Sequence, residues 1–278
     1  MSETSGLFRS GDLQLHYLRW GDLTGIPVVM LHGLRGFAAT WESLADALGE
    51  GYCCYGLDQR GRGESDWGPV EGYQTATYVQ DLERFVDHLG LDRFVLIGHS
   101  LGGTNALEYV RRHPERVTRL VIEDIGPGSS NRGEGAERIR REMRNTPLTF
   151  ASWEEAEAFW RFSRPNLTEE ALQARLQNSF RERDGKIGWK HDQLGIAEAR
   201  LTFEPIDLWP AVKAVKCPAL LVKGGDSDFL PRATVQEILT SNQAFSAVEV
   251  DNASHYVHDD QPDVFNKAVV DFIQAGYN

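Results

Sequence analysis

The stretch Phe94-Val-Leu-Ile-Gly-His-Ser-Leu-Gly102 determines how we interpret this chain. Its first four residues form an apolar run typical of a buried strand, and Thr104 to Arg112 has the pattern of a helix. Between them, Gly98 to Gly102 reads Gly-x-Ser-x-Gly. A serine at such a strand-to-helix turn is exposed and strained, and the flanking glycines leave room for the backbone. This context predicts a nucleophile at Ser100 rather than an inert turn.

Size and composition favour an ordinary soluble globular protein. The chain has 278 residues, which suits one large domain or a core domain with an insertion. Its formal net charge of −12 disfavours nucleic acid as a partner, because a polyanion would be repelled. No apolar run reaches the ~18 residues needed to span a bilayer, so we expect no membrane partner.

The compartment is predicted from the N-terminus and the cysteines. Residues 1–6, Met-Ser-Glu-Thr-Ser-Gly, have neither the basic patch nor the apolar core of a signal peptide. The chain has 3 cysteines, too few for a disulfide framework, and we interpret them as packing thiols in a reducing environment. We therefore expect a cytoplasmic protein. The sequence does not indicate an oligomeric state.

Short apolar runs alternate with helical patterns through most of the chain. This alternation predicts a mostly parallel sheet with helices on both faces, which binds ligands at the carboxyl ends of its strands. The predicted strands are Leu13–Trp20, Val28–Leu31, Tyr52–Leu57, Phe94–Ile97, Val117–Ile122, Ala219–Val222 and Ala247–Val250, and the predicted helices of this part include Phe37–Leu48, Tyr78–Leu89, Gly102–Arg112 and Pro262–Ile273.

The alternation is interrupted between residues 126 and 210. This segment lacks buried strand runs, is rich in arginine and tryptophan, and shows helical patterns at Trp153–Phe162 and Thr168–Phe180. We interpret 126–210 as a helical lid inserted after the predicted strand Val117–Ile122. The core domain then comprises residues 1–125 and 211–278.

The order of these features resembles the α/β-hydrolase superfamily over roughly residues 8 to 275. His32-Gly33 follows an early strand, Ser100 lies in its turn, and Ser254-His255-Tyr256 follows the last strand. Each motif is short, but the joint order is specific. The resemblance implies an α/β fold with an eight-stranded, mostly parallel sheet, flanking helices and a lid after strand 6.

A serine hydroxyl needs an imidazole within hydrogen-bond reach to act as a nucleophile at neutral pH. Among the 8 histidines, His255 lies in the loop where the superfamily places its base. His258, three residues later, is the competitor, and we prefer His255. His99 lies within the turn, with its side chain expected to point away from Ser100.

The acid that orients the imidazole has two candidates. In the common family pattern it lies four residues before a proline in the loop after the seventh strand, but that position is Ser227 here, flanked by Asp226 and Asp228. The segment Val121-Ile-Glu-Asp-Ile-Gly-Pro127 instead resembles stretches of small bacterial esterases and of 2-(acetamidomethylene)succinate hydrolase. By that resemblance the acid is Asp124, with Asp228 kept as the alternative.

Two further features of the site follow. The resemblance places the oxyanion hole at the backbone N–H groups of Leu34 and Leu101. An arginine could turn inward and bind a substrate carboxylate. The candidates are Arg35 and, in the lid, Arg132, Arg138, Arg140, Arg141, Arg144, Arg161 and Arg164.

Together these features predict a serine hydrolase that cleaves a small carboxylic ester or related acyl bond through an acyl-enzyme. A small-molecule acyl substrate is the expected partner. Neither a metal nor an organic cofactor is implied, because the chain has no zinc-spaced Cys/His cluster and no nucleotide loop. Alternatives with the same three residues are a carbon–carbon bond hydrolase of ring-cleavage products, an amidase or a lactonase. A ligand-binding signalling protein on a hydrolase scaffold is the alternative from another class.

Overall fold

A computed structural model describes residues 3–275 of the chain. The strands are β1 (Glu3–Ser10), β2 (Leu13–Gly21), β3 (Ile26–Leu31), β4 (Tyr52–Leu57), β5 (Phe94–His99), β6 (Val117–Glu123), β7 (Thr149–Phe150), β8 (Phe180–Arg183), β9 (Lys186–Trp189), β10 (Ala219–Gly224) and β11 (Phe245–Val250). The helices are α1 (Glu42–Leu48), α2 (Thr75–His88), α3 (Leu101–Arg112), α4 (Gly133–Asn145), α5 (Trp153–Ser163), α6 (Glu169–Ser179), α7 (Gln193–Thr202), α8 (Trp209–Ala214), α9 (Arg232–Ser241), α10 (Val257–Asp260) and α11 (Pro262–Gln274).

Within residues 3–275, eight strands form one sheet in the order β1-β2-β4-β3-β5-β6-β10-β11. The pairs β1/β2 and β2/β4 are antiparallel, and the remaining pairs are parallel. The predicted fold, an eight-stranded and mostly parallel sheet with flanking helices, is confirmed. Strand β1 was not among the predicted strands, since only Phe8 and Ser10 of its eight residues are buried.

The sheet is covered on both faces, as its continuous apolar runs predict. All six residues of β4, β5 and β10 are buried. Successive residues of β3 point to opposite faces: Val28 and Met30 pack with side chains of α1 and α11, while Val29 and Leu31 pack with side chains of α2 and α3. The carboxyl ends of the parallel strands therefore lie between two helical layers.

The segment between β6 and β10 carries its own small apolar cluster, which includes Phe150, Trp160 and Trp189. Besides α4 to α7 it contains an antiparallel sheet in the order β7-β9-β8, which the sequence did not lead us to expect. These strands have two to four residues each and no buried run, so they left little signal. The boundary predicted at residue 210 falls inside α8.

Among the helices of residues 3–275, none is both long and apolar enough to span a membrane.

Candidate active site

Ser100 occupies the turn between the end of β5 and the start of α3. Its φ of 52° and ψ of −112° lie in a region that an L-residue adopts only under strain. A Cβ on Gly98 would lie 2.4 Å from the Gly102 carbonyl oxygen, and one on Gly102 would lie 2.2 Å from the Leu31 carbonyl oxygen. Only glycine fits at either position, which explains the Gly-x-Ser-x-Gly pattern in terms of local packing.

His255 lies in the loop after β11 and reaches this serine. The Ser100 hydroxyl lies 2.8 Å from His255 Nε2, and Nδ1 of the same ring lies 2.8 Å from a carboxylate oxygen of Asp124. Because a carboxylate only accepts hydrogen bonds, Nδ1 carries the hydrogen and Nε2 is free to accept from Ser100. The Phe229 ring packs on the imidazole, with the centroids 4.2 Å apart.

Asp124 lies directly after β6 in a backbone conformation with a φ of 49°. One carboxylate oxygen accepts the Gly224 N–H at 3.0 Å, and the other accepts both the His255 N–H and the Ser227 hydroxyl. Ser227 stands where the common family pattern has its acid, and here its hydroxyl supports the carboxylate that comes from β6. The sequence did not assign this role to Ser227.

Asp228, the alternative acid, is directed elsewhere. Its two oxygens accept hydrogen bonds from Nε and Nη2 of Arg138 on α4, each at 2.8 Å. His258, the alternative base, is 2.8 Å from both carboxylate oxygens of the buried Glu123. The structure thus brings Ser100, His255 and Asp124 together and leaves Asp228 and His258 in other pairs.

The two expected oxyanion donors lie beside the serine. Leu101 is the first residue of α3, so its N–H has no acceptor within the helix. Leu34 lies in the loop after β3, and within residues 3–275 its N–H has no backbone acceptor either. Both residues line the same pocket as Ser100 and His255. Two free N–H groups next to a nucleophile form an arrangement that could hold a developing oxyanion.

The pocket above Ser100 is mainly apolar. Its walls come from the core and from the segment between β6 and β10. The larger apolar side chains lining it are Leu34, Tyr73, Tyr78, Leu101, Ile139, Phe203, Ile206, Leu208, Phe229 and Tyr256. Such a pocket suits a small organic substrate with an apolar body.

A second Ser–His–Asp chain connects strand β1, strand β2 and the loop after β4. His16 Nδ1 lies 2.7 Å from Asp58, and its Nε2 lies 2.8 Å from the Ser5 hydroxyl. Ser5, however, lies on the edge strand β1 with ordinary strand geometry, and it does not line the pocket that contains Ser100. Pair distances alone therefore do not identify a nucleophile. Strain at the serine, free N–H groups and a pocket distinguish Ser100 from Ser5.

Potential metal ligands are also present near the site. Ligand atoms of His99, Glu123 and His258 lie within 4.8 Å of one another. The pair Glu123–His258 is hydrogen bonded, and His99 Nε2 donates to the His255 carbonyl at 2.9 Å. These bonds satisfy the three side chains without an ion, and they brace the loop that carries His255.

The arginines selected from the sequence have different environments. Arg161 forms exposed pairs with Glu157 and Glu169. Arg35 is buried and pairs with Glu142, and Arg164 is buried against the ring of Tyr256. The arginine that lines the Ser100 pocket is Arg200 on α7, which was not among the candidates selected from the sequence.

Burial and charged neighbours together set the pKa of His255. Burial lowers its pKa well below the usual 6.5, Arg138 and Arg164 lower it further, and Asp228 acts in the opposite direction. Burial also raises the pKa of Asp124 to about 7, against the hydrogen bonds from Ser227 and Gly224. Only the neutral imidazole can accept a proton from Ser100. Nearby cations disfavour the protonated form, so the imidazole stays neutral down to a lower pH.

The variant Arg138→Gln should move the acid limb of the kcat/KM–pH profile to higher pH, by roughly half a pH unit or more. The change removes a cation that disfavours protonated His255, and it leaves the negative charge of Asp228 unpaired, so both effects raise the pKa of the base. Arg140→Gln on the same helix, whose arginine pairs with Glu137, is the control and should leave the limb in place. If the acid limb of Arg138→Gln does not shift, or shifts to lower pH, this electrostatic account is contradicted.

Comparisons with known proteins agree with the fold. Residues 26–187 match the sequence model of the alpha/beta hydrolase fold family. The chain is 33% identical over 256 residues to a Bacillus subtilis protein proposed to be a 2-succinyl-6-hydroxy-2,4-cyclohexadiene-1-carboxylate synthase, covering 89% of this chain and 90% of that protein. It is 26% identical to 2-(acetamidomethylene)succinate hydrolase of Mesorhizobium japonicum, covering 91% and 89% of the two chains.

A solved structure also has this fold. The crystal structure of E-2-(acetamidomethylene)succinate hydrolase superposes with a TM-score of 0.89 and 25% identity, covering 98% of this chain and 100% of the other. The match to the family model spans more than half of the chain. This chain belongs to the α/β-hydrolase family and is a hydrolase of that fold.

Proposed function

We propose that this protein is a serine hydrolase that cleaves small carboxylic esters through an acyl-enzyme. One observation carries the proposal: a continuous chain of 2.8 Å contacts from Ser100 through His255 to the buried Asp124, at a strained turn that opens into an apolar pocket. Nucleophile, base and orienting acid are the three roles that acyl transfer to a serine requires.

In the proposed reaction, Ser100 Oγ attacks the ester carbonyl carbon while His255 Nε2 takes its proton. Asp124 holds the Nδ1–H and stabilises the imidazolium that forms. The N–H groups of Leu34 and Leu101 stabilise the oxyanion. Collapse breaks the ester C–O bond, and the imidazolium gives its proton to the leaving alcohol. Water then attacks the acyl-enzyme with His255 as its base, which releases the acid and restores Ser100.

The segment 126–210 is proposed to act as a lid. It contributes Ile139, Arg200 and Phe203 to the pocket, and it is tied to the core by Arg138–Asp228 and by the buried pair Arg175–Asp259. A cover of this kind keeps water from the acyl-enzyme until the leaving group departs. Substrate size and polarity are then set by side chains from both parts of the chain.

Amide hydrolysis is a second candidate reaction. It is favoured by the similarity to 2-(acetamidomethylene)succinate hydrolase in sequence and in structure. The same three side chains would serve, with His255 donating its proton to a leaving nitrogen instead of an oxygen. An ester has the better leaving group, so esters are the first substrates to test.

The proposal predicts that p-nitrophenyl butyrate is hydrolysed and that a fluorophosphonate probe labels Ser100. The probe requires an activated serine with oxyanion donors, and Ser5 lacks the surroundings described above despite its own His16–Asp58 pair. Peptide mass spectrometry should find the adduct on the peptide that contains Ser100 and not on the one that contains Ser5. Labelling at Ser5, or no labelling together with no turnover, would sink the proposal.

A further inference from the structure

Arg200 is a partly buried cation on the wall of the pocket that contains Ser100. It lies near the end of α7, and its guanidinium donates to the Ser130 carbonyl. A guanidinium has five N–H donors. Within the described part of the chain, that carbonyl is its one hydrogen-bond acceptor, and no carboxylate lies within 4 Å of it. Most of its hydrogen-bonding capacity therefore remains available at the pocket.

The charge of Arg200 is not compensated by its surroundings. Burial lowers its pKa, and the neighbouring cation Arg140 lowers it further. Glu204 also lines the pocket, but it is exposed and forms no ion pair with Arg200. A partly buried cation without an anion is unfavourable, and an anionic ligand group would stabilise it.

The rest of the pocket defines the other part of the ligand. Leu34, Leu101 and Phe229 lie near the Ser100–His255 pair, and the wall that carries Arg200 also contains Phe203 and Leu208. A ligand that contacts both the serine hydroxyl and the guanidinium therefore lies in a pocket with mainly apolar walls. This arrangement fits an apolar chain or ring with a reactive carbonyl at one place and an anion at another.

We propose that Arg200 binds a substrate carboxylate, and that the preferred substrates are esters carrying a carboxylate separated from the scissile bond by a short apolar spacer. This inference rests on the proposed function for the chemistry at Ser100. It adds the substrate class and a specificity-determining residue. Arg200 provides two N–H groups for a bidentate contact, a geometry that lysine does not reproduce.

Arg164 is the other arginine to consider, because Nε and Nη1 of its buried guanidinium have no hydrogen-bond partner within residues 3–275. It lies against one face of the Tyr256 ring, and Tyr256, not Arg164, lines the pocket. Arg200 therefore lines the pocket itself, whereas Arg164 contacts a residue that lines it. The variant Arg164→Gln tests whether Arg164, and not Arg200, binds the carboxylate.

The experiment compares matched esters on wild-type protein and on Arg200→Gln. Mono-p-nitrophenyl adipate and p-nitrophenyl hexanoate carry acyl chains of equal length, with and without a terminal carboxylate. The butyrate ester of p-hydroxybenzoate, compared with phenyl butyrate, places the carboxylate on the leaving group instead.

We expect wild type to prefer the anionic member of at least one pair. The substitution Arg200→Gln should lower kcat/KM for that anionic ester about 10- to 100-fold, mainly by raising KM. For the neutral ester of the same pair, kcat/KM should change by less than about twofold.

Controls separate this role from a structural one. Arg140→Gln removes a neighbouring cation that does not line the pocket and should keep the preference. A Tm of Arg200→Gln close to that of wild type, measured by thermal unfolding, shows that the variant is folded. Loss of both kinds of substrate alike, no anion preference in wild type, or loss of the preference in Arg164→Gln instead would each overturn the assignment to Arg200.

The inference can also fail independently of the proposed function. If wild type hydrolyses neither the neutral nor the anionic esters, the ester hydrolase proposal fails. Arg200 is then tested by binding, with adipate and the uncharged hexanamide titrated into the full chain by calorimetry. Tighter binding of adipate by wild type, lost in Arg200→Gln, supports the anion site. Equal binding in the two proteins rejects it.

Discussion

Ser100→Ala should lower kcat for p-nitrophenyl butyrate by a factor on the order of 10⁶, and His255→Ala should do nearly the same. The double variant should lose little more, because nucleophile and base act as one unit and either removal abolishes the same step. Stopped assays at high enzyme concentration, with hydrolysis by buffer subtracted, measure this loss. KM should change little, since neither side chain is needed to fill the apolar pocket.

Ser5→Ala provides a matched control for the same chemistry. It removes the serine of the other Ser–His–Asp chain, which lies on the exposed edge strand β1. This variant should retain the turnover of wild type. If Ser100→Ala keeps its activity, or if Ser5→Ala loses it, the nucleophile has been assigned to the wrong residue.

Asp124→Asn should lower kcat on the order of 10⁴-fold while leaving the fold intact. Asparagine keeps the size of the side chain, but its NH₂ group cannot accept the Nδ1–H of His255, so the imidazole is held in the wrong tautomer. Steady-state kinetics give the size of the effect. Thermal unfolding of the same preparation checks that Tm is largely preserved.

Asp228→Asn is the comparison for the acid. Asp228 pairs with Arg138 at the surface between the loop after β10 and helix α4, and it does not contact His255. We expect a loss of kcat well below that of Asp124→Asn. The reverse ranking would transfer the acid role to the loop after β10 and contradict the geometry described here.

Most of the fold was predictable because strands buried on both faces leave continuous apolar runs. The runs at β3, β4, β5 and β10 were recognised to within about two residues. Strand β1 was not, because it is an edge strand that exposes most of its side chains. The hairpin β8–β9 was missed for a similar reason, since four-residue strands within a charged segment show no period.

The candidate site was predictable where it depends on local backbone. Gly98 is required by a contact within the turn and Gly102 by the Leu31 carbonyl of the neighbouring strand β3, and the resulting Gly-x-Ser-x-Gly pattern reveals the serine. The position of His255 after the last strand was likewise inferred from order along the chain. The choice between Asp124 and Asp228 could not be made in this way. Both are carboxylates in loops at the same edge of the sheet.

Patterns along the chain therefore indicate backbone conformation and the face of an element that is buried, because both leave a periodic signal within a few residues. Pairing of charged groups is different, because the partners are distant in sequence and meet only when whole elements pack. His255 and Asp124 are 131 positions apart in the sequence, and they form a hydrogen bond in the fold. Arg138 and Asp228 are 90 positions apart, and their ion pair keeps Asp228 from the position of the acid. The inward position of Arg200 arises in the same way, from the packing of α7 against the loop at Ser130.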